Sequence, residues 1–371
     1  MGIGGRSPPR RRDAEKMNRT RLAFIRSALT CARLCAFLSL CLCVSAVQIS
    51  SQDWKTVHNG VEYAHVEHKL SSDPVKINLL RLDLKKVRLD VHHALDKAIG
   101  LETTSSIAKR KGAVAAINSG FFRLDKSEFA GDAAGVLVVD NEFYSESAND
   151  RIALVLANLK GETDASFERV MADPRIYSHT VVMVETHGIN RERKKGEMIL
   201  YSPKFGPTTQ TKNGGTEIIL GDCRKGTCHN FKIFQGTGNS AIPTNGLVLS
   251  IDAEQSDAQR LFVERLAKLS NKQDRQFRIR HSTLPLDYFD RDVSRKFEFD
   301  IVAGVPQLIK EGKVDITWEQ EKASKTFVET RHPRTAVAKL KDGKFLMMTV
   351  DGRQPGVSVG MTLQELAEYL L

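Results

Sequence analysis

Arg331-His332-Pro333-Arg334-Thr335-Ala336-Val337-Ala338-Lys339-Leu340-Lys341-Asp342-Gly343-Lys344-Phe345-Leu346-Met347-Met348-Thr349-Val350-Asp351-Gly352-Arg353 is the most legible stretch of this 371-residue chain. Ala336 to Leu340 and Phe345 to Val350 read as two strands, and Asp342-Gly343 between them is a strong hairpin-turn signal. Pro333 biases His332 toward an extended backbone, so Arg334 opens the first strand. The hairpin then returns the chain, which puts Arg334 and Asp351 at the same end of the pair. Beyond it, Thr362-Leu363-Gln364-Glu365 is a capping box. It opens a helix with Leu363, Leu366, Ala367 and Leu370 on one face, and no C-cap glycine follows before Leu371.

Upstream the pattern stays strand-rich. Ile77 to Leu84 and Val87 to Val91 alternate as strands do. Thr103 to Ser106 offer N-caps for a short helix that runs to Lys111 and ends at Gly112. Ala113 to Ile117 is an uninterrupted apolar run, as expected of a buried central strand, and it delivers Asn118-Ser119-Gly120-Phe121-Phe122 to that strand's end. Further strands are expected at 135–140, 152–159, 180–185 and 198–201, and an amphipathic helix from Ser256 or Asp257 to about Leu269. Residues 270–295 are polar and read as a loop or insertion. The expected fold is α+β, with mixed, mostly antiparallel sheets, a few flanking helices and a single large domain over 47–371.

The formal charge of +10 is misleading as a sign of nucleic-acid binding. Residues 1–46 carry nine Lys/Arg and two acids, which leaves only +3 to the other 325 residues. The body has no electrostatic case for nucleic acid. Residues 1–46 read instead as an export signal: a basic stretch to Arg33, an apolar stretch from Leu34 to Val44, then Val44-Ser45-Ala46 as a small-residue cleavage site. A retained membrane anchor is the alternative, although the apolar run is short for a span of roughly 20 residues. Met17 is an alternative start. Export places the chain in a periplasmic or extracellular setting, or anchored by that leader, with contact to a membrane through the leader alone. The body has no Asn-x-Ser/Thr acceptor, which favours a bacterial envelope over a eukaryotic secretory setting.

Four of the six cysteines lie in the leader. The body keeps Cys223 and Cys228 around a Gly-containing turn, which in an exported chain favours a local disulfide over two free thiols. No metal-ligand cluster is legible, and the sequence names no cofactor. Glu217 and Asp222 flank an Ile-Ile-Leu strand and read as solvated strand-end carboxylates.

Two clusters stand above this background. An apolar strand ending in Asn118, Ser119 and Gly120 lets the backbone approach a ligand closely. Arg334 and Arg353, with the carboxylate of Asp351 and the hydroxyl of Thr335, suit an anionic, oxygen-rich ligand, because guanidinium forks bind phosphate bidentately. A structural Arg–Asp pair is the alternative.

At these residues the chain resembles the phosphodiester glycosidase family. The resemblance runs from about Val61 to Leu371. It covers Asn118 to Phe122, where the family usually has Asn-Gly-Gly-Phe-Phe, then Leu200 to Thr209, Ile242 to Ser250, Gly304 to Ile309 and, most specifically, Arg331 to Gly360. It implies an exported hydrolase that cleaves the sugar–phosphate bond of a glycosyl phosphodiester, a phosphorylated glycan being the partner. By this resemblance Asp351, Arg334 and Asn118 would be catalytic, and Thr335, Arg353 and Gly120 would bind substrate. Two departures are visible. Ser119 stands where the family has glycine, and family members continue into an Asn-Leu-Asp-Gly-Gly-Gly-Ser-Thr segment after the last helix. The expectation is therefore a domain incomplete at its C-terminus, with an inactive envelope protein that binds phosphorylated glycans as the alternative function.

Overall fold

The computed structural model describes residues 53–178, 184–224, 226–269, 277–282 and 298–371. The leader, and with it the expected cleavage site, lies outside them. Asp53–Leu371 forms one compact unit.

The hairpin that opened the sequence reading sits at one side of a five-stranded antiparallel sheet. Its order is Lys55–His58, Val61–Leu70, Asp73–Leu82, Phe345–Val350, Arg334–Lys339. The register pairs Arg334 with Val350 and Lys339 with Phe345, and among the described strands Arg334–Lys339 is one edge and Lys55–His58 the other. Alternation sorts the side chains between the two faces. Val75, Ile77, Leu79, Met348 and Val350 face the helix Leu363–Leu370, where Met361, Leu363 and Leu366 join their cluster. Leu82 and Phe345 face the other way, onto Leu137, Val139, Leu156 and Ala165 of a second sheet. An eight-residue helix is not stable by itself. Burial of Leu363 and Leu366, about 1.5–3 kcal/mol each, together with the Thr362–Glu365 capping box, holds it in place.

That second sheet runs Glu142–Ser145, Leu137–Val139, Glu298–Ala303, Ile152–Leu159, Glu162–Arg169, all antiparallel. A third, eight-stranded sheet carries Met198–Tyr201, Gly215–Arg224, Thr227–Thr237 and Leu247–Ile251 at its centre. The helix Asp257–Ala267, capped by Ser256, covers it with Phe262, Val263 and Leu266. Among the described residues one strand pair is parallel, Gly188–Ile189 with Met198–Tyr201. The fold is thus α+β with mostly antiparallel sheets, as the sequence predicts. Cys223 and Cys228 face each other across the Gly215–Arg224/Thr227–Thr237 hairpin and are disulfide-bonded.

Four expectations are corrected. Val87–Val91 is not a strand: the Leu89 and Val91 amides donate to the Thr163 hydroxyl and the Asp300 carboxylate instead of to a ladder. Phe277–Ser282, inside the stretch read as a loop, is a strand paired with Asp173–Ser178. Glu217 is fully buried rather than solvated, and it accepts hydrogen bonds from the hydroxyls of Thr209, Thr211 and Ser250. Ala113–Ile117 is neither buried nor in a strand: Val114 is 59% exposed, and Val114 to Ile117 make no backbone hydrogen bond with any described residue. An apolar run reports a capacity for burial, and it needs a neighbour on either side to become a central strand.

Candidate functional site

Beside the free edge of Arg334–Lys339 lies an open cavity of about 2,100 Å³. Asn118, Gly120, Arg334, Thr335, Asp351 and Arg353 all line it, although they come from three separate parts of the chain. The walls also include Phe121 and Phe122, about half exposed.

Arg334 is the unusual member. Its residue is only 6% exposed, yet no carboxylate among the described residues pairs with it. Nε donates to the Met361 carbonyl at 2.7 Å, and Nη2 donates to the carbonyls of Phe327 and Thr330, both at 2.8 Å. The guanidinium carbon lies 4.7 Å over the Phe327 ring. Nη1 is buried and has no partner. Burial, then repulsion from Arg353, pushes the guanidinium down to about 10. The expected alternative, a structural Arg334–Asp351 pair, is not what the structure contains. The nearby Arg331 is the structural arginine instead, paired with Asp73 and Glu365, each at 2.7 Å.

Asp351 follows directly on the strand Phe345–Val350. Its amide donates to the Lys76 carbonyl, and its own carbonyl accepts from the Ser358 hydroxyl at 2.6 Å. The backbone is therefore held while the carboxylate makes no ion pair with a described residue. Gly352 permits the next step: a Cβ there would lie 2.5 Å from the Pro333 nitrogen. Arg353, with φ of 60°, then turns its Nη2 to within 3.1 Å of His332 Nδ1.

Thr335 and Asn118 meet directly, the Thr335 hydroxyl donating to Asn118 Oδ1 at 2.7 Å. That leaves the Asn118 amide hydrogens free to donate. Gly120 lines the cavity and also allows a close backbone approach. An added Cβ would lie 2.7 Å from the Ala303 carbonyl oxygen, so its lack of a side chain lets the chain pass close to the strand Glu298–Ala303. Sequence reasoning passed over His332, which shares the cavity wall. The signal was its place between Arg331 and Pro333. Among the described residues no three or more His, Cys, Asp or Glu gather to hold a metal ion, and no helix is long and apolar enough to cross a membrane.

The fold is an α+β domain whose open cavity gathers two arginines, a carboxylate, a hydroxyl and an amide on one wall. Residues 229–371 match the family model described as phosphodiester glycosidase, which supports the resemblance read from the sequence. The matched span contains Arg334, Thr335, Asp351 and Arg353, and excludes Asn118 and Gly120. No curated protein matches the chain. Among solved structures, a hypothetical protein from Synechocystis is similar at 17% identity and a TM-score of 0.64, over 85% of this chain and 55% of that one. A putative exported protein from Burkholderia pseudomallei is similar at 18% identity and a TM-score of 0.58, over 80% of this chain and 65% of that one. Both likenesses concern the fold, and this chain spans little more than half the length of the Synechocystis protein. The catalytic domain of zebrafish N-acetylglucosamine-1-phosphodiester alpha-N-acetylglucosaminidase aligns at 15% identity over 85% of this chain and 68% of that one, with a TM-score of only 0.37.

Proposed function

We propose that the chain is an exported hydrolase that cleaves the bond between a sugar's anomeric carbon and the phosphate of a glycosyl phosphodiester, yielding free sugar and a phosphomonoester. The observation that carries this reading is Arg334: a buried guanidinium with no carboxylate and an unpartnered Nη1, beside a cavity that also exposes a carboxylate. With Nε and Nη2 committed to carbonyls, Nη1 is the charged donor left for a phosphate oxygen. Phosphate is a far better leaving group than a sugar alkoxide, so the reaction leans on charge stabilisation more than on a strong general acid. In this reading Arg334 and Arg353 hold the phosphate. Asp351 takes the proton of the attacking water or attacks C1 itself, and Asn118 and Thr335 orient the sugar by hydrogen bonds.

The test is release of sugar from a glycosyl phosphodiester in ¹⁸O-water. A phosphomonoester free of label supports cleavage at the anomeric carbon; label in the phosphate overturns it. Arg334→Met and Asp351→Asn should each abolish release, and a rate untouched by both would sink the assignment. The exposed run Ala113–Ile117 in the same wall favours a second reading, a domain that binds phosphorylated glycans without turnover. That reading predicts phosphate binding that depends on Arg334 with no sugar released.

A further inference from the structure

His332 is held in place from both sides. Its amide donates to the Met361 carbonyl at 3.2 Å, and its carbonyl accepts from the Met361 amide at 3.0 Å. Gly360 allows this clamp, since a Cβ there would lie 2.3 Å from the His332 carbonyl oxygen. Pro333 restricts the backbone on the other side. The ring then meets Arg353, whose Nη2 lies 3.1 Å from Nδ1. A guanidinium has donors and no acceptor, so Nδ1 is the acceptor in this contact. The single ring proton of the neutral imidazole therefore sits on Nε2. No described residue accepts from Nε2, and His332 lines the cavity with Arg334 and Asp351.

The geometry points to His332 as a neutral hydrogen-bond donor, through Nε2–H, to a phosphate oxygen held at Arg334. The inference rests on the phosphate-facing reading of the site given above. Protonating the ring would set an Nδ1–H against the Arg353 N–H, donor to donor. Partial burial, then the positive charges of Arg334 and Arg353, hold His332 below its ordinary range. The other groups that bear on it are the Asp351 carboxylate in the same cavity wall and Arg331, already neutralised by Asp73 and Glu365. The clamping segment at Gly360–Met361 brings no charge.

A neutral imidazole does not release Nε2–H near neutral pH, so His332 is not a general acid here. It acts by charge stabilisation. The bond from C1 to the phosphate oxygen breaks, and its electron pair stays on that oxygen. The water oxygen bonds to C1, and the water proton passes to Asp351 and on to solvent. The phosphate goes from one negative charge to nearly two, since its second proton leaves near pH 6. A fixed donor at the leaving oxygen stabilises that gain.

The test uses the full chain labelled with ¹⁵N-histidine and titrated with inorganic phosphate. The expected result is an acceptor-type Nδ1 and a protonated Nε2 for His332, with Nε2–H shifting on phosphate addition and Arg334→Met removing the shift. An Nε2 indifferent to phosphate, or a ring protonated at both nitrogens at neutral pH, overturns the inference whether or not the chain is an enzyme. In turnover, His332→Ala should lower kcat by about 10²-fold, the scale of one lost oxyanion donor, with KM little changed. His332→Gln, which keeps a donor, should recover most of the loss. The kcat profile should be flat between about pH 6.5 and 8, since His332 is held below the ordinary histidine value. A limb in that range that His332→Gln removes would make His332 a proton carrier and overturn the proposal. Failure of the wild type to release sugar would instead strike the hydrolase reading, and the phosphate titration would still decide the donor.

Discussion

Arg191 and Arg334 are both largely withdrawn from water, and they are treated in opposite ways. Arg191 bonds Glu146 at 2.6 Å and Glu197 at 2.7 Å, and donates as well to the carbonyls of Glu192 and His187. Its neighbour Arg193 bonds the Ser250 hydroxyl and approaches Glu217 and Asp252. Arg334 has three carbonyls, one aromatic ring and a nitrogen with no partner. The charge of Arg191 is stabilised, its guanidinium held above the ordinary value by Glu197 and Glu146 despite burial. The charge of Arg334 is not, and its guanidinium sits below the ordinary value. A buried cation compensated inside the protein belongs to the fold; one left uncompensated is free to compensate something else.

The comparison can be broken by paired substitutions. Arg191→Met should be the larger blow to stability, about 3 kcal/mol or more, because it leaves Glu146 and Glu197 without their cation in a part-buried site. Arg334→Met should cost about 1–3 kcal/mol, the scale of carbonyls left unsatisfied, partly offset by removing an unstabilised charge. Urea unfolding of the two variants checks the order. An Arg334 variant that unfolds more easily than the Arg191 variant would make Arg334 the structural arginine.

Activity should rank them the other way. On a glycosyl phosphodiester, Arg334→Met should lower kcat/KM by about 10²–10³-fold, the loss of one preorganised charge donor. Arg191→Met, measured where it is folded, should stay within a few-fold of wild type. Arg334→Lys should recover little, since an ammonium with three donors cannot keep the three carbonyl bonds and also present the donor that Nη1 supplies.

A ligand-linked shift is the next measurement. Phosphate at a hundred times its dissociation constant should stabilise the wild type by about 2.7 kcal/mol. Arg334→Met should lose that shift, and Arg191→Met should keep it. Equal shifts in all three would place phosphate elsewhere on the surface.

The two arginines also show where the sequence was readable. The hairpin that carries Arg334 and Asp351 was legible because strand alternation, an Asp-Gly turn and a proline are all local signals. The helices Thr104–Lys111 and Leu363–Leu370 were legible from their caps for the same reason. The lack of a carboxylate beside Arg334 was not legible, since it depends on which distant chains fill the space. Glu217 was misread on the same account: the hydroxyls that accept it into the core come from Thr209, Thr211 and Ser250, up to 33 residues away. Ala113–Ile117 failed in the opposite sense. Its composition asks for burial, and no described strand supplies it. The meeting of Asn118 with Thr335, 217 residues apart, could be stated only as a shared cluster and not as a contact.

The smallest expected difference between the two arginines is in acid. Burial raises Glu197, but the hydrogen bond from Arg191 and that from the Lys194 amide outweigh it, so the folded chain holds Glu197 below the ordinary glutamate value of 4.5. A carboxylate depressed in the folded state contributes stability that is fully present above its unfolded value. That contribution is lost as pH falls through the folded one. Acid should therefore weaken the wild type partly through Glu197, and Arg191→Met should flatten that part of the slope because the depression goes with the cation. Arg334 holds no carboxylate below its ordinary range, so Arg334→Met should lose stability in acid in parallel with the wild type. Melting temperatures between about pH 3 and 6 separate the two outcomes. Parallel curves for the wild type and Arg191→Met would mean that the Arg191 cluster is too solvated to be coupled to folding. The distinction between a compensated and an uncompensated arginine would then rest on Arg334 alone.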